Sequence, residues 1–190
     1  MFRELVEEDY ALRSALAVRG ALFGEYHEAM EQLHVKNGLI LQEWIEQHGW
    51  PGQPESDAAW IIVIHAISLP SLQRQALQLL QNTESSVTPA QLATLEDRIL
   101  VNSDLLQHYG TQLDWNEGGE LSPYPIERSD SVDQRRAAVG LPPLDQEISR
   151  LRQQALLEGE RPPEDWHNYR QRRRNWQIRV GWIKGDSNQT

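Results

Sequence analysis

The sequence predicts a mainly α-helical, compact single-domain fold, and three observations carry that expectation. Apolar residues recur at steps of three and four along most of the chain, the spacing of one helix face. Capping residues, Pro and Gly stand at the offsets where helices start and stop. Only residues 109–130 change character, with Gly110, Gly118, Gly119, Pro123 and Pro125 among polar residues, so a long ordered loop or a small hairpin is expected there. At 190 residues the chain is long enough for one ordinary domain with a real core.

The elements follow in order. Leu5, Leu12, Leu16, Phe23, Tyr26, Met30 and Leu33 trace one face, which predicts a long helix or two helices broken near Gly20 or Gly24. Asn37-Gly38 is read as the cap of a further segment carrying Leu39, Leu41, Trp44 and Ile45. That segment stops at Gly49-Trp50-Pro51-Gly52, where Gly ends a helix and Pro cannot continue one. Ser56-Asp57 then caps a helix through Ser68, with His65 inside it. Its Trp60, Ile61, Ile62, Val63, Ile64 and Ile67 leave no polar stripe, so it should cross the core. Pro70 interrupts, and Leu72, Leu77, Leu79 and Leu80 continue as a helix until the polar residues 81–86. Thr88-Pro89-Ala90-Gln91 combines capping-box spacing with Pro in the first turn, which starts a helix bearing Leu92, Leu95, Ile99 and Leu106. Residues 131–139 and 144–157 read as two more helices, separated by Gly140, Pro142 and Pro143.

Charge divides the chain. Residues 161–190 hold seven Lys or Arg against three acids, whereas residues 1–160 hold 11 against 25. The expected organisation is a helical domain over 1–160 and a basic, Trp- and Arg-rich extension over 161–190. Within that extension residues 164–176 are expected to form a basic helix. Its Arg170, Arg172, Arg173 and Arg174 with Trp166, Tyr169 and Trp176 are suited to phosphates and stacking. A positive segment beside a strongly negative body favours docking on that body or on a partner protein, and disfavours nucleic acid.

Several classes are excluded or disfavoured. The chain has no cysteine, so disulfides, thiolate zinc sites, iron–sulfur clusters and cysteine nucleophiles fall away together. The start of the chain lacks the order of a signal peptide and no run is long enough to span a bilayer, so a soluble, acidic, cytoplasmic protein is expected, with no membrane contact. Phosphate-loop, dinucleotide and nucleophile-elbow motifs are missing. Glu31-x-x-His34 and Glu164-x-x-His167 match the spacing used in di-iron bundles, but no further pair of helical glutamates accompanies them. No metal and no cofactor is therefore expected.

The residues that could carry chemistry are few. His65 among apolar neighbours is a candidate general acid or base, or else a core histidine satisfied by one partner. Asp97 has Ala93, Leu100 and Val101 on its helical face, so it needs a partner from elsewhere, in catalysis or in a buried ion pair. Arg98 points about 100° away from it and needs its own. Gln107-His108-Tyr109-Gly110-Thr111-Gln112 is the densest polar cluster. Its Gln107, Tyr109 and Gln112 either read a polar ligand or satisfy the loop backbone. Arg135 and Arg136 suit a carboxylate or phosphate, although adjacent arginines face different ways.

Taken in order, Gly49-Trp50-Pro51-Gly52, Ala59-Trp60 with His65-Ala66, Leu95 with Asp97-Arg98, Gln107-x-Tyr109-Gly110-Thr111-Gln112 and Val132-Asp133 with Arg135-Arg136 and Gly140-Leu141-Pro142-Pro143-Leu144 resemble a bacterial family catalogued as domain of unknown function 6624. The resemblance covers about residues 5–147. It implies that Asp9, Arg13 and Asn37, which match further recurring polar positions, belong to the same site. It also marks two departures: Ile67 and His34 stand where similar proteins often carry an acid. The family name supplies no activity. Its recurring residues are polar and ionisable, which points to a small enzyme acting on an anionic small molecule or peptide carboxylate. In that expectation His65 is the acid or base, Asp97 orients it, Tyr109, Gln107 and Gln112 read the substrate, and Arg98, Arg135 and Arg136 hold its charge. The rival expectation is a non-catalytic interaction module that works through residues 161–190.

Overall fold

The first apolar face belongs to two helices, Phe2–Val18 (α1) and Glu28–His48 (α2), in a computed structural model that describes residues 1–20, 26–82 and 87–185. α1 closes at Arg19 and is followed by Gly20 with φ 66°, a left-handed value that glycine adopts without strain. Phe23 of the expected face and Gly24, one of the two expected break points, lie outside the described residues. α2 corrects one expectation, because Asn37-Gly38 lies in mid-helix and caps nothing. A Cβ at Gly38 would stand 2.6 Å from Leu69 Cδ1 and 3.0 Å from Ala66 Cβ, so glycine is required there by close packing. Asn37 is buried, and its amide donates to the Leu5 carbonyl at 3.1 Å. Tertiary contact outweighs the local turn signal of Asn-Gly.

Ser56–His65 forms α3, which ends three residues before Ser68; His65 is its last residue and not an interior one. The chain turns tightly there, with the Ile67 N–H on the His65 carbonyl at 2.7 Å and the Leu69 N–H on the Ala66 carbonyl at 3.0 Å. The residue before a proline avoids the helical region, and Pro70 then supplies the first residue of α4, Pro70–Gln81. Of the expected polar stretch 81–86, residues 83–86 lie outside the described residues. α5, Pro89–Asn102, opens as the capping box predicts: the Gln91 N–H donates to Thr88 Oγ1 at 3.2 Å and the Thr88 N–H to Gln91 Oε1 at 2.8 Å. α5 stops at Asn102, so Leu106 lies beyond the helix and is exposed, contrary to expectation.

Contacts group the chain into two compact units, Met1–Leu95 and Glu96–Thr190. In the first, α1, α2 and α3 pack on one another and α4 lies on α2 and α3, around Phe2, Leu41, Ile62, Val63, Leu72 and Ala76. In the second, Leu113–Trp115 (β1) and Leu121–Pro123 (β2) form the small hairpin, antiparallel with Asp114 opposite Ser122. A 3-10 turn at Ser129–Ser131 leads into α6, Val132–Ala138, then α7, Leu144–Leu157, and α8, Trp166–Val180. α7 packs on β2 and α6.

The basic C-terminal helix is tied into this unit. Trp166 Nε1 donates to the Trp115 carbonyl at 3.0 Å, the Tyr169 hydroxyl to Asp114 at 2.8 Å, and Gln177 Nε2 to the Asn102 carbonyl at 2.8 Å. The Arg173 guanidinium lies 4.8 Å from the Tyr124 ring centre. Eight α-helices and a two-stranded sheet among the described residues make the fold mainly α, as the spacing predicts. No described helix is long and apolar enough to cross a membrane.

Candidate functional site

Three helices of the first unit each bring one ionisable side chain to a single point. Asp9 comes from α1, His34 from α2 and His65 from the end of α3. His65 Nδ1 lies 2.6 Å from Asp9 Oδ2, and His34 Nε2 lies 3.2 Å from the same oxygen. The two imidazole centres are 5.0 Å apart. A carboxylate only accepts hydrogen bonds, so His65 Nδ1 carries the proton it shares with Asp9, and Nε2 is left with the lone pair. The His65 side chain is 30% exposed while those of Asp9 and His34 are 4% and 10% exposed, which makes His65 the member that faces outward. Tyr26 fixes the far edge of His34, its hydroxyl 2.6 Å from Nδ1.

Burial opposes the charge on Asp9. The hydrogen bond from His65 and the close approach and field of both rings outweigh it and hold the carboxyl well below the usual carboxylate range. Asp9 is therefore a fixed anion at the centre of the cluster. Satisfaction is incomplete: His34 Nε2 approaches Asp9 out of line for a hydrogen bond, and both it and Asp9 Oδ1 are buried without a hydrogen-bond partner. Asn37, one turn beyond His34, leaves its buried Oδ1 without one as well. Arg13 stands one turn beyond Asp9 on α1 and is exposed.

The second unit gathers the other candidates into a knot that holds the loop after α5. Asp97, 0% exposed, accepts the N–H groups of His108 at 2.7 Å, Tyr109 at 3.1 Å and Thr111 at 2.9 Å, and the Thr111 hydroxyl at 2.9 Å. Gln107 spans the same loop: its Nε2 donates to the carbonyls of Gln112 and Tyr124, and its Oε1 accepts the Gln112 N–H. Arg98 Nε donates to Gln112 Oε1 at 3.1 Å.

Both arginines of α6 close the knot from the other side. Arg135 donates to the carbonyls of His108, Glu127 and Arg128 and to the Ser131 hydroxyl. Arg136, 1% exposed, donates to the Pro142 and Tyr109 carbonyls at 2.6 and 2.7 Å. Its burial lowers the guanidinium pKa, against the raising fields of Glu147, Asp133 and Asp97. The Tyr109 phenol is pushed up by burial and by Glu96 and Asp97, against Arg135. Gly110 holds φ 68°, and a Cβ there would meet Ile126 Cδ1 at 2.8 Å and Leu144 Cδ1 at 2.9 Å, which is why glycine interrupts this polar run.

The expected site residues thus separate into two constellations, each within its own unit. Asp9 and His65 meet in the first, with Asn37 and Arg13 near them on α2 and α1. The carboxylate on His65 Nδ1 is Asp9, whereas the oxygens of Asp97 are taken up by the main chain of the loop after α5. Asp97, Arg98, Gln107, Tyr109, Gln112, Arg135 and Arg136 meet in the second.

Sequence reasoning missed His34 and Tyr26 as members of the first cluster. The signal for His34 was present twice, in Glu31-x-x-His34 and in the departure from an acid at that position. Glu31 itself accepts the Ser68 hydroxyl at 2.5 Å. The second Glu-x-x-His copy reaches nothing similar, since the His167 side chain is 81% exposed and 3.6 Å from Glu117.

A family model described as "Family of unknown function (DUF6624)" matches residues 4–158. Neither a curated protein nor a solved structure matches the chain.

Proposed function

The chain belongs to the family of unknown function DUF6624, and we propose that it is an enzyme whose working centre is Asp9, His34 and His65. The observation that carries the reading is the convergence of two imidazoles on one buried carboxylate oxygen, with one imidazole left partly open. Here an anion is buried at the meeting of three helices, and the tautomer it imposes on His65 aims a basic nitrogen outward. In this reading His65 takes a proton from a water or substrate hydroxyl, or returns one to a leaving group. Asp9 fixes the ring and balances the charge that develops on it, and His34 with Tyr26 holds Asp9 in place.

The substrate class proposed is an anionic small molecule or a peptide carboxylate, with Arg13 as the cation that meets its charge. Arg135 and Arg136 depart from the sequence expectation, because their guanidinium groups bind main-chain carbonyls and hold the loop of their own unit that carries Tyr109. Turnover of a panel of phosphomonoesters, carboxylate esters and peptides with free carboxyl ends tests the proposal. The native chain turns over a member of the panel and folded His65→Gln does not. Equal rates in the two proteins would remove the mechanism.

The rival reading, an interaction module working through residues 161–190, has less to stand on. Trp166, Tyr169 and Gln177 are engaged within their own unit, and Arg173 lies over Tyr124. Deleting residues 161–190 should therefore destabilise the second unit as well as alter any partner profile.

A further inference from the structure

We propose that Asp9, His34 and His65 are the protein ligands of one divalent first-row transition-metal ion, with zinc the first choice. The inference rests on the same reading of this cluster as the working centre and adds the group that works there. Three ligand atoms, one from each of three helices, lie within 4.8 Å of one another. Ligands held about 2.0–2.1 Å from a tetrahedral ion stand about 3.3 Å apart. The 3.2 Å between His34 Nε2 and Asp9 Oδ2 already fits that spacing, and the 2.6 Å contact of His65 needs to open by less than 1 Å.

An unsatisfied atom supports a guest. His34 Nε2 is buried without a hydrogen-bond partner, an expensive arrangement that a ligated ion would relieve. The outer contacts suit ligation too. Tyr26 holds His34 by Nδ1, which presents Nε2 inward, and a phenolic oxygen can accept from Nδ1–H as readily as donate to Nδ1.

Besides that small opening, seating the ion needs a change of tautomer in each neutral ring. The proton of His34 moves to Nδ1 and that of His65 to Nε2, while the Asp9 carboxylate stays ionised. Two imidazoles and one carboxylate select a borderline transition ion over calcium or magnesium, which take all-oxygen sites. The partial exposure of His65 leaves room for a water as fourth ligand, the arrangement of catalytic rather than structural zinc. With an ion bound, the ion would acidify that water and its proton would pass to solvent, whereas without one His65 accepts the proton. The two readings therefore place the same side chains at the reaction and differ in what receives the proton.

The test uses the full chain without an affinity tag, stripped with chelator and titrated with Co2+ and then Zn2+. Visible absorption, calorimetry and imidazole 15N spectra are recorded. The expected result is one Co2+ per chain with the intense bands of a four-coordinate ion, displacement by Zn2+, and shifts at His34 Nε2 and His65 Nδ1. Asp9→Asn and His34→Gln should each weaken binding at least about tenfold. Absence of binding by the native chain, a solvated-ion spectrum, or shifts confined to His27, His48, His108 or His167 would each overturn the proposal without recourse to variants that could misfold.

Activity separates it from the proposed function. Turnover that persists in chelator and is lost in His65→Gln overturns the metal and keeps the centre. Tight one-to-one binding with turnover indifferent to the ion and to His65 keeps the metal and removes the catalytic reading.

Discussion

Replacing Asp97 by Asn tests whether this buried carboxylate organises a loop. The two side chains have nearly the same shape, so the change isolates charge and acceptor number. Asp97 receives three main-chain N–H groups and one hydroxyl on its two oxygens, at 2.7 to 3.2 Å, with no exposure to water. Asparagine keeps one oxygen and puts an NH2 group where the other stood. Either orientation of the amide leaves at least one buried main-chain N–H facing a donor: that of His108 if Oδ1 is replaced, that of Thr111 if Oδ2 is.

An unsatisfied buried donor costs about 1–3 kcal/mol, and bonds to a charged acceptor are each about 1.5–3 kcal/mol against roughly 1 for neutral ones. Because the partners share one loop these terms do not add fully, and a net loss of about 3 kcal/mol is expected. Urea denaturation of the native and Asp97→Asn proteins measures the loss, and amide hydrogen exchange locates it. Protection should fall first at the amides of His108, Tyr109 and Thr111. A loss below about 1 kcal/mol with those amides unchanged would refute the reasoning and return Asp97 to the list of residues kept for chemistry.

The other predictions concern packing and pH. Gly38→Ala should destabilise the first unit by about 1–2 kcal/mol despite the better helix propensity of alanine, because its Cβ would sit 3.0 Å from the Ala66 Cβ; a gain in denaturation midpoint would contradict this. Tyr124 and Tyr169 both donate to Asp114, and burial, first, with the Asp114 charge raises both phenols far above the ordinary tyrosine value of about 10. Above that pH the unfolded chain loses phenolic protons that the folded chain keeps. Their stabilisation is thus fully present below pH of about 10 and is lost as pH rises beyond it, by about 1.4 kcal/mol per pH unit for Tyr124 alone. Denaturation curves between about pH 9 and 11 should show that slope reduced in Tyr124→Phe, and an identical slope in both proteins would count against the clamp.

Much of the fold is legible in the sequence because its signals are local. The reciprocal Thr88 and Gln91 bonds follow from four consecutive letters, and the end of α2 from Gly49 with Pro51 close behind. The failures are equally physical. Asn37-Gly38 carries a turn signal at short range, yet the position is decided by Leu69 and Ala66 packed against it, about thirty residues away in sequence. Asp97 on an apolar face correctly demands a distant partner, but its partners are main-chain amides, which every residue owns and no side-chain pattern reveals.

The candidate centre was half visible. His65 stands out among apolar neighbours and Asp9 only through the family resemblance, while their separation of 56 positions hides the bond that joins them. His34 looked like a departure from the family pattern until α2 turned it onto the same oxygen as His65. Adjacent arginines do face different ways, as helix geometry requires, and both ends of that fork serve the backbone.

The central claim is that Asp9 draws two imidazoles into one centre and so sets the tautomer of His65. Imidazole 15N spectra of the metal-free native chain at neutral pH, recorded beside those of Asp9→Asn, test it most directly. The account predicts His65 protonated on Nδ1, with a slowly exchanging, strongly hydrogen-bonded proton that disappears in the variant. A His65 protonated on Nε2 in the native chain, or spectra of His34 and His65 indifferent to Asp9→Asn, would contradict it.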